Sequence, residues 1–213
     1  MSSTLRLDRF ADTPLQREPY EYLVVRDFLT PEALDAARAD YPKVPGPGSH
    51  PPGGLTIQGG FKKLIDDFHS PEFRQAIEHK FNIDLTDRPL MYTVRGHCRA
   101  RDGQIHTDTK SKIITILLYM NDDHWDNANG RLRILKNGTD LHDFVDEVEP
   151  AGGTLLVFRR CDHSWHGHTS YEGPRRALQF NYVTDQSVVE REQSRHGLSA
   201  FFKKLMGRDT MMM

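Results

Sequence analysis

Residues 104–120 read QIHTDTKSKIITILLYM: an imidazole and a carboxylate two positions apart, then a strongly apolar run. The β-branched content of Lys112–Met120 marks a strand. His106 and Asp108 directly precede it, so both are expected at the rim of a packed sheet. Further short strands are expected near Met91–Val94, Leu132–Leu135, Thr154–Phe158 and Arg175–Val183. They are separated by turn residues, the pattern of an all-β sandwich or barrel.

Upstream, the texture differs. Tyr20–Phe28 carries the β-branched and aromatic mix of a strand, and Thr30-Pro31-Glu32 reads as an N-cap with proline at the first helical position, opening a helix to about Asp40. Ser70-Pro71-Glu72 repeats that signal ahead of Phe73, Ile77 and Phe81, which recur at helical spacing. Between the two helices, Pro42–Gly54 is too rich in proline and glycine for either regular structure and reads as a lid or substrate loop. Phe201, Phe202 and Leu205 predict a short helix at about 198–206, with a frayed tail from Gly207. The expectation is one domain over 1–213: a core at about 90–183, a strand and helices at 20–82, and the terminal helix.

The charges nearly cancel, 28 basic against 30 acidic side chains in 213 residues, which points to neither a nucleic-acid nor a membrane-surface partner. Cys98 and Cys161 are too few for a disulfide framework and do not form a CxxC pair. Met1–Phe10 lacks the apolar stretch of a secretory signal, and the longest apolar run, Ile113–Met120, is too short to span a bilayer. A cytoplasmic protein is expected.

Two ligands do not make a metal site. The third candidate is His166, in Ser164-Trp165-His166-Gly167-His168 just beyond the Thr154–Phe158 strand. Two histidines and one carboxylate leave open positions on an ion, the arrangement of non-haem Fe(II) oxygenases. His124-Trp125-Asp126 also matches His-x-Asp but lies in a polar Asn, Asp and Gly loop, and is assigned to that loop. His163 and His168 compete with His166 and are read as exposed or facing substrate. His166 is preferred because it stands nine residues before Arg175, with a turn at Tyr171–Pro174 between them.

In the strand from Arg175 to Tyr182, Leu178, Phe180 and Tyr182 form the packing face, while Ala177, Gln179 and Asn181 share the opposite face with Arg175. An inward guanidinium needs an anion, and a carboxylate supplies two parallel hydrogen bonds. Arg176 is the runner-up and has to snorkel outward. Tyr119 shares parity with Thr115 and Leu117 and either offers its hydroxyl to the same carboxylate or serves as a core residue. Arg95, Arg99, Arg101, Lys110, Trp125 and Arg133 are expected around the mouth of the site.

Taken in order, His106-Thr107-Asp108, Leu117–Asn121, Asn129-Gly130-Arg131-Leu132, Pro150–Gly153, Trp165–His168 and Gly173-Pro174-Arg175 resemble the Fe(II)/2-oxoglutarate-dependent dioxygenase superfamily, particularly its prolyl-hydroxylase-like branch. The resemblance covers roughly Leu90–Tyr182 and departs from the frequent Gly-Gly at Asn129-Gly130. It implies a mainly β (α+β) fold, a double-stranded β-helix or jelly roll with helices packed on one sheet. It also implies Fe(II) on His106, Asp108 and His166, 2-oxoglutarate with its distal carboxylate on Arg175 and Tyr119, and ascorbate as a reductant. The implied reaction hydroxylates a small-molecule or peptide substrate and releases succinate and carbon dioxide. Asp108 disfavours the halogenating relatives, which carry a small residue at that position. The alternatives are a non-catalytic jelly-roll binding protein and a cupin-like metal enzyme that ignores 2-oxoglutarate. Substrate identity and oligomeric state are not legible in the sequence.

Overall fold

The computed structural model describes residues 4–191. Helices come first: α1 (Leu7–Asp12), α2 (Pro31–Ala39), α3 (Gly59–Phe68) and α4 (Pro71–Phe81), with strand β1 (Tyr22–Val25) between the first two. Strands follow: β2 (Leu90–Cys98), β3 (Lys112–Tyr119), β4 (Leu132–Leu135), β5 (Phe144–Val148), β6 (Leu155–Arg159), β7 (His166–His168) and β8 (Gly173–Val183). The architecture is mixed α/β with antiparallel sheets. The helix expected at 198–206 lies outside the described residues.

Both cap signals act as read. Thr30 Oγ1 accepts the Ala33 amide and Ser70 Oγ accepts the Phe73 amide, each beside a proline that has no N–H to leave unpaired. Helix α3 has no such local signal, and its cap is tertiary: the Gly60 amide donates to Asp40 Oδ2 at 2.7 Å, just past the end of α2. A side chain at Gly60 would run into the Ala36 backbone, so glycine is what lets α2 and α3 approach this closely.

Five strands pair in the order β1-β6-β3-β8-β2 and three in the order β5-β4-β7. Cross-strand partners share a face. Ile116 opposite Phe180 and Leu118 opposite Leu178 point to the helices, where they join Phe61, Leu64, Phe73 and Ile77 in the larger core. Phe68 of α3 stacks on Phe180 at 4.3 Å between ring centroids, and truncating such a buried ring costs roughly 3–5 kcal/mol. The opposite face of the same sheet presents Leu117, Tyr119, Leu156, Phe158 and Ala177, which pack with Leu132, Ile134 and Val148 of the smaller sheet. The two sheets face one another without closing into a barrel, and a cavity opens between them.

The Pro42–Gly54 loop is fastened to the outer edge of the larger sheet. His50 exchanges backbone hydrogen bonds with Val94 of β2, at 2.9 and 2.8 Å. A short 3-10 turn, Pro52–Gly54, ends it.

Candidate metal centre and its cavity

His106 sits ahead of β3 and is tied to β7 through its backbone. Its amide donates to the His166 carbonyl and the His166 amide donates back, both at 3.0 Å. This antiparallel bridge lays the two imidazoles side by side with ring centroids 4.3 Å apart. Gly103, whose carbonyl accepts the His168 amide, lies close against β7: it has a φ of +87°, and any side chain there would overlap the His168 ring.

Each imidazole is oriented by a carbonyl two residues upstream. His106 Nδ1 meets the Gln104 carbonyl at 2.8 Å, and His166 Nδ1 meets the Ser164 carbonyl at 3.0 Å. A carbonyl only accepts, so Nδ1 carries the proton in both rings and Nε2 keeps its lone pair for a metal. Asp108, 8% exposed, accepts from Lys112 Nζ at 2.8 Å on Oδ1 and from the Thr115 hydroxyl at 2.5 Å on Oδ2. Asn181 Nδ2 donates to that same Thr115 oxygen at 2.8 Å, which leaves the hydroxyl proton for Asp108.

Ligating atoms of His106, Asp108 and His166 lie within 4.8 Å of one another, forming the one such group among the described residues that could hold a metal ion. Bonds of about 2.1 Å to a common ion place donors at right angles about 3 Å apart, so the three groups draw together on binding one. Electrostatics favour the ligating protonation states. Burial first, then the neighbouring His106, push His166 down to about 4, against the opposing pull of Asp108. Burial alone would raise Asp108, but Lys112, His166 and the two side-chain hydrogen bonds together hold it at about 2. A neutral imidazole and an ionised carboxylate are what a divalent cation binds. The donor set fits a 2-His-1-carboxylate centre with open positions.

The three ligands open onto a cavity of about 300 Å³ whose wall includes Arg175, Tyr119, Gln179 and Arg95. Arg175 is 5% exposed. Its Nε donates to the Gly130 carbonyl at 2.9 Å, its Nη2 lies 3.4 Å from the Tyr119 hydroxyl, and its guanidinium stands 5.2 Å from the Tyr119 ring centroid. Tyr119 is thus both a fully buried core residue and part of the cavity wall. Arg176 is exposed over the Tyr41 ring and does not line the cavity, so the alternation of faces along β8 separates the two arginines.

Several expectations change. His168, expected to be exposed or to face substrate, is buried and lines the cavity, with Nδ1 on the Thr169 carbonyl and Nε2 3.7 Å from Cys98 Sγ. Burial, then the charge of Arg175, push it down to about 4. His163 is exposed and borders a separate hollow beside Tyr20. Of the residues expected at the mouth, Arg95 and Arg101 line the cavity. Arg133 is drawn off to Glu147 at 2.7 Å, Arg99 pairs with Asp102 at 3.0 Å, and Trp125 lines another hollow together with His124 and Asp126. The sequence reading missed the grip of Lys112 and Thr115 on Asp108 and the orienting carbonyls of Gln104 and Ser164.

Residues 92–183 match the sequence model of the 2OG-Fe(II) oxygenase superfamily. No curated protein matches the chain. Among solved structures, a Pseudomonas putida prolyl-4-hydroxylase is 18% identical over 84% of this chain and 93% of its own, with a TM-score of 0.53. A Burkholderia pseudomallei oxidoreductase of the 2OG-Fe(II) oxygenase family is 12% identical over 83% and 90%, also at 0.53. A prolyl 4-hydroxylase from Phytophthora capsici is 15% identical over 86% and 67%, again at 0.53. At these identities the likeness is one of fold.

Proposed function

We propose, from the resemblance of this chain to the prolyl-hydroxylase-like 2OG-Fe(II) oxygenases and from the match of residues 92–183 to the superfamily, that it is an Fe(II)- and 2-oxoglutarate-dependent dioxygenase that hydroxylates its substrate. The two facing sheets are read as the halves of a jelly roll, and the chain as one oxygenase domain. A single observation carries the reading: one cavity has a His-Asp-His cluster in its wall and a buried arginine beside a tyrosine hydroxyl, with no carboxylate paired to that arginine among the described residues.

In this reading His106, Asp108 and His166 hold the iron, which with 2-oxoglutarate supplies dioxygen activation while succinate and carbon dioxide are released. The Gln104 and Ser164 carbonyls fix the imidazole tautomers, and Thr115 keeps the carboxylate turned toward the ion. Arg175, its Nε held by Gly130, points its remaining N–H groups at the distal carboxylate, and the Tyr119 hydroxyl adds a further donor. Leu117 and Leu132 supply apolar wall that limits water near the reacting end.

The test is turnover of 2-oxoglutarate alone. Purified protein with Fe(II), air and ascorbate, which supplies the two electrons a missing substrate would give, is expected to release succinate slowly without added substrate, and Asp108→Ala is expected to abolish that release. A wild-type rate no higher than that of Asp108→Ala contradicts the assignment.

A further inference from the structure

The cavity carries more positive charge than a divalent ion and one dicarboxylate account for. Asp108 and Lys112 cancel, as do Asp102 and Arg99, and a divalent ion balances a dicarboxylate. Arg175, Arg95 and Arg101 remain, all three in the cavity wall. Arg175 is used in the proposed cosubstrate site. Arg95 and Arg101 are not.

Arg95 is placed by the sheet. It lies opposite Ala177 in the β2–β8 register, and Ala177 lies opposite Tyr119, so the three residues form one row across three strands on the cavity face. Its Nε donates to Ser49 Oγ at 2.8 Å, and Ser49 belongs to the loop that His50 fastens to Val94. Loop and strand together hold the guanidinium in the cavity wall, and no hydrogen bond among the described residues engages its terminal amino groups. No ion pair among the described residues includes Arg95. Burial and the like charge of Arg175 both pull it below the usual arginine range, opposed by Cys98 and by the Asp102 carboxylate. Arg101 adds a second, exposed cation at the rim.

We infer that the substrate bears a carboxylate, and that Arg95, with Arg101 at the rim, binds it at a position separate from the carboxylate held by Arg175. This rests on the dioxygenase reading above. It narrows the substrate to carboxylate-bearing molecules, and it gives the Pro42–Gly54 loop a function: Ser49 sets the angle of the selecting guanidinium.

The experiment uses zinc-loaded protein saturated with 2-oxoglutarate, since zinc has no redox chemistry and the complex does not turn over. The arginine Nε–Hε signals are followed by NMR, with Arg95 identified by Arg95→Met and Arg175 by Arg175→Lys. Acetate is titrated against acetamide, its neutral analogue. The Arg95 signal is expected to move saturably with acetate and not with acetamide. The 2-oxoglutarate Kd of Arg95→Met is expected to rise by no more than about threefold, the effect of one positive charge lost without a direct contact. An Arg95 signal indifferent to acetate overturns the inference. So does a tenfold or greater loss of 2-oxoglutarate affinity in Arg95→Met, which would place Arg95 on the cosubstrate. If 2-oxoglutarate leaves the Arg175 signal unmoved, the cosubstrate site itself is wrong, and the inference falls with it.

Discussion

His106 and His166 are joined through their backbones, each amide donating to the other's carbonyl at 3.0 Å. Two residues distant in the chain thereby become neighbours before any metal is considered. The pairing depends on main-chain atoms, so the imidazoles can be removed singly without dissolving it.

His106 is exposed and His166 is buried, which separates metal binding from stability. His106→Ala is expected to weaken metal binding by at least tenfold, while stability changes by no more than about 0.5 kcal/mol, the usual effect at an exposed position. Calorimetric titration and denaturant unfolding of the same preparation check both halves. His166→Ala is expected to lose stability as well.

The Asn181–Thr115–Asp108 relay makes a second prediction. Thr115→Val preserves shape but removes the hydroxyl that turns the carboxylate, so metal affinity is expected to fall about 10- to 100-fold. It also strands a buried amide, at a cost of about 1–3 kcal/mol in unfolding free energy. Thr115→Ser is expected to recover most of the metal affinity.

Arg175 binds nothing anionic within the described chain, so its removal is expected to show in cosubstrate binding. Arg175→Met is expected to raise the Kd for 2-oxoglutarate by a factor corresponding to about 2–5 kcal/mol, the cost of truncating one partner of a buried charged pair. Arg175→Lys keeps the charge without the planar fork and is expected to fall between the two. Anaerobic binding titrations with Fe(II) present decide it.

Acidification tests the electrostatics. His166 titrates near 4 in the folded protein against an ordinary 6.5, so between those values the unfolded chain takes up a proton that the native state refuses. Stability therefore rises with pH across that window and is lost as pH falls from about 7 to 4, by up to about 3 kcal/mol from this residue. His168 shifts in the same direction and adds to the loss. Asp108, held at about 2, stays ionised throughout. Metal-free protein is expected to show a Tm that declines steadily over this range, and a flat profile contradicts the burial assigned to His166.

Strand signals were legible wherever residues were β-branched and bounded by turns, as in β3 and β8. Cap-and-proline signals located α2 and α4 for the same reason: the information is local. Helix α3 escaped because its cap comes from Asp40, and β7 because three residues with a central glycine carry no periodicity. Strand β5 was missed because Asp146 interrupts the face that Phe144 and Val148 share on this edge strand. His106, Asp108, His166 and Arg175 were singled out from spacing and parity, and the structure brings all four to one cavity. The burial of His168 was not legible, because it is set by Gly103 and Cys98, contacts that no local pattern encodes.

The central claim is that His106, Asp108 and His166 hold one ferrous ion that 2-oxoglutarate chelates. Anaerobic addition of 2-oxoglutarate to the Fe(II) protein tests it most directly, read as the weak visible charge-transfer band of an iron-bound keto acid. The band is expected in wild type, saturating at one iron per chain, and absent from His106→Ala, Asp108→Ala and His166→Ala. A band that survives in folded Asp108→Ala and His166→Ala, or that never forms in wild type, contradicts the account.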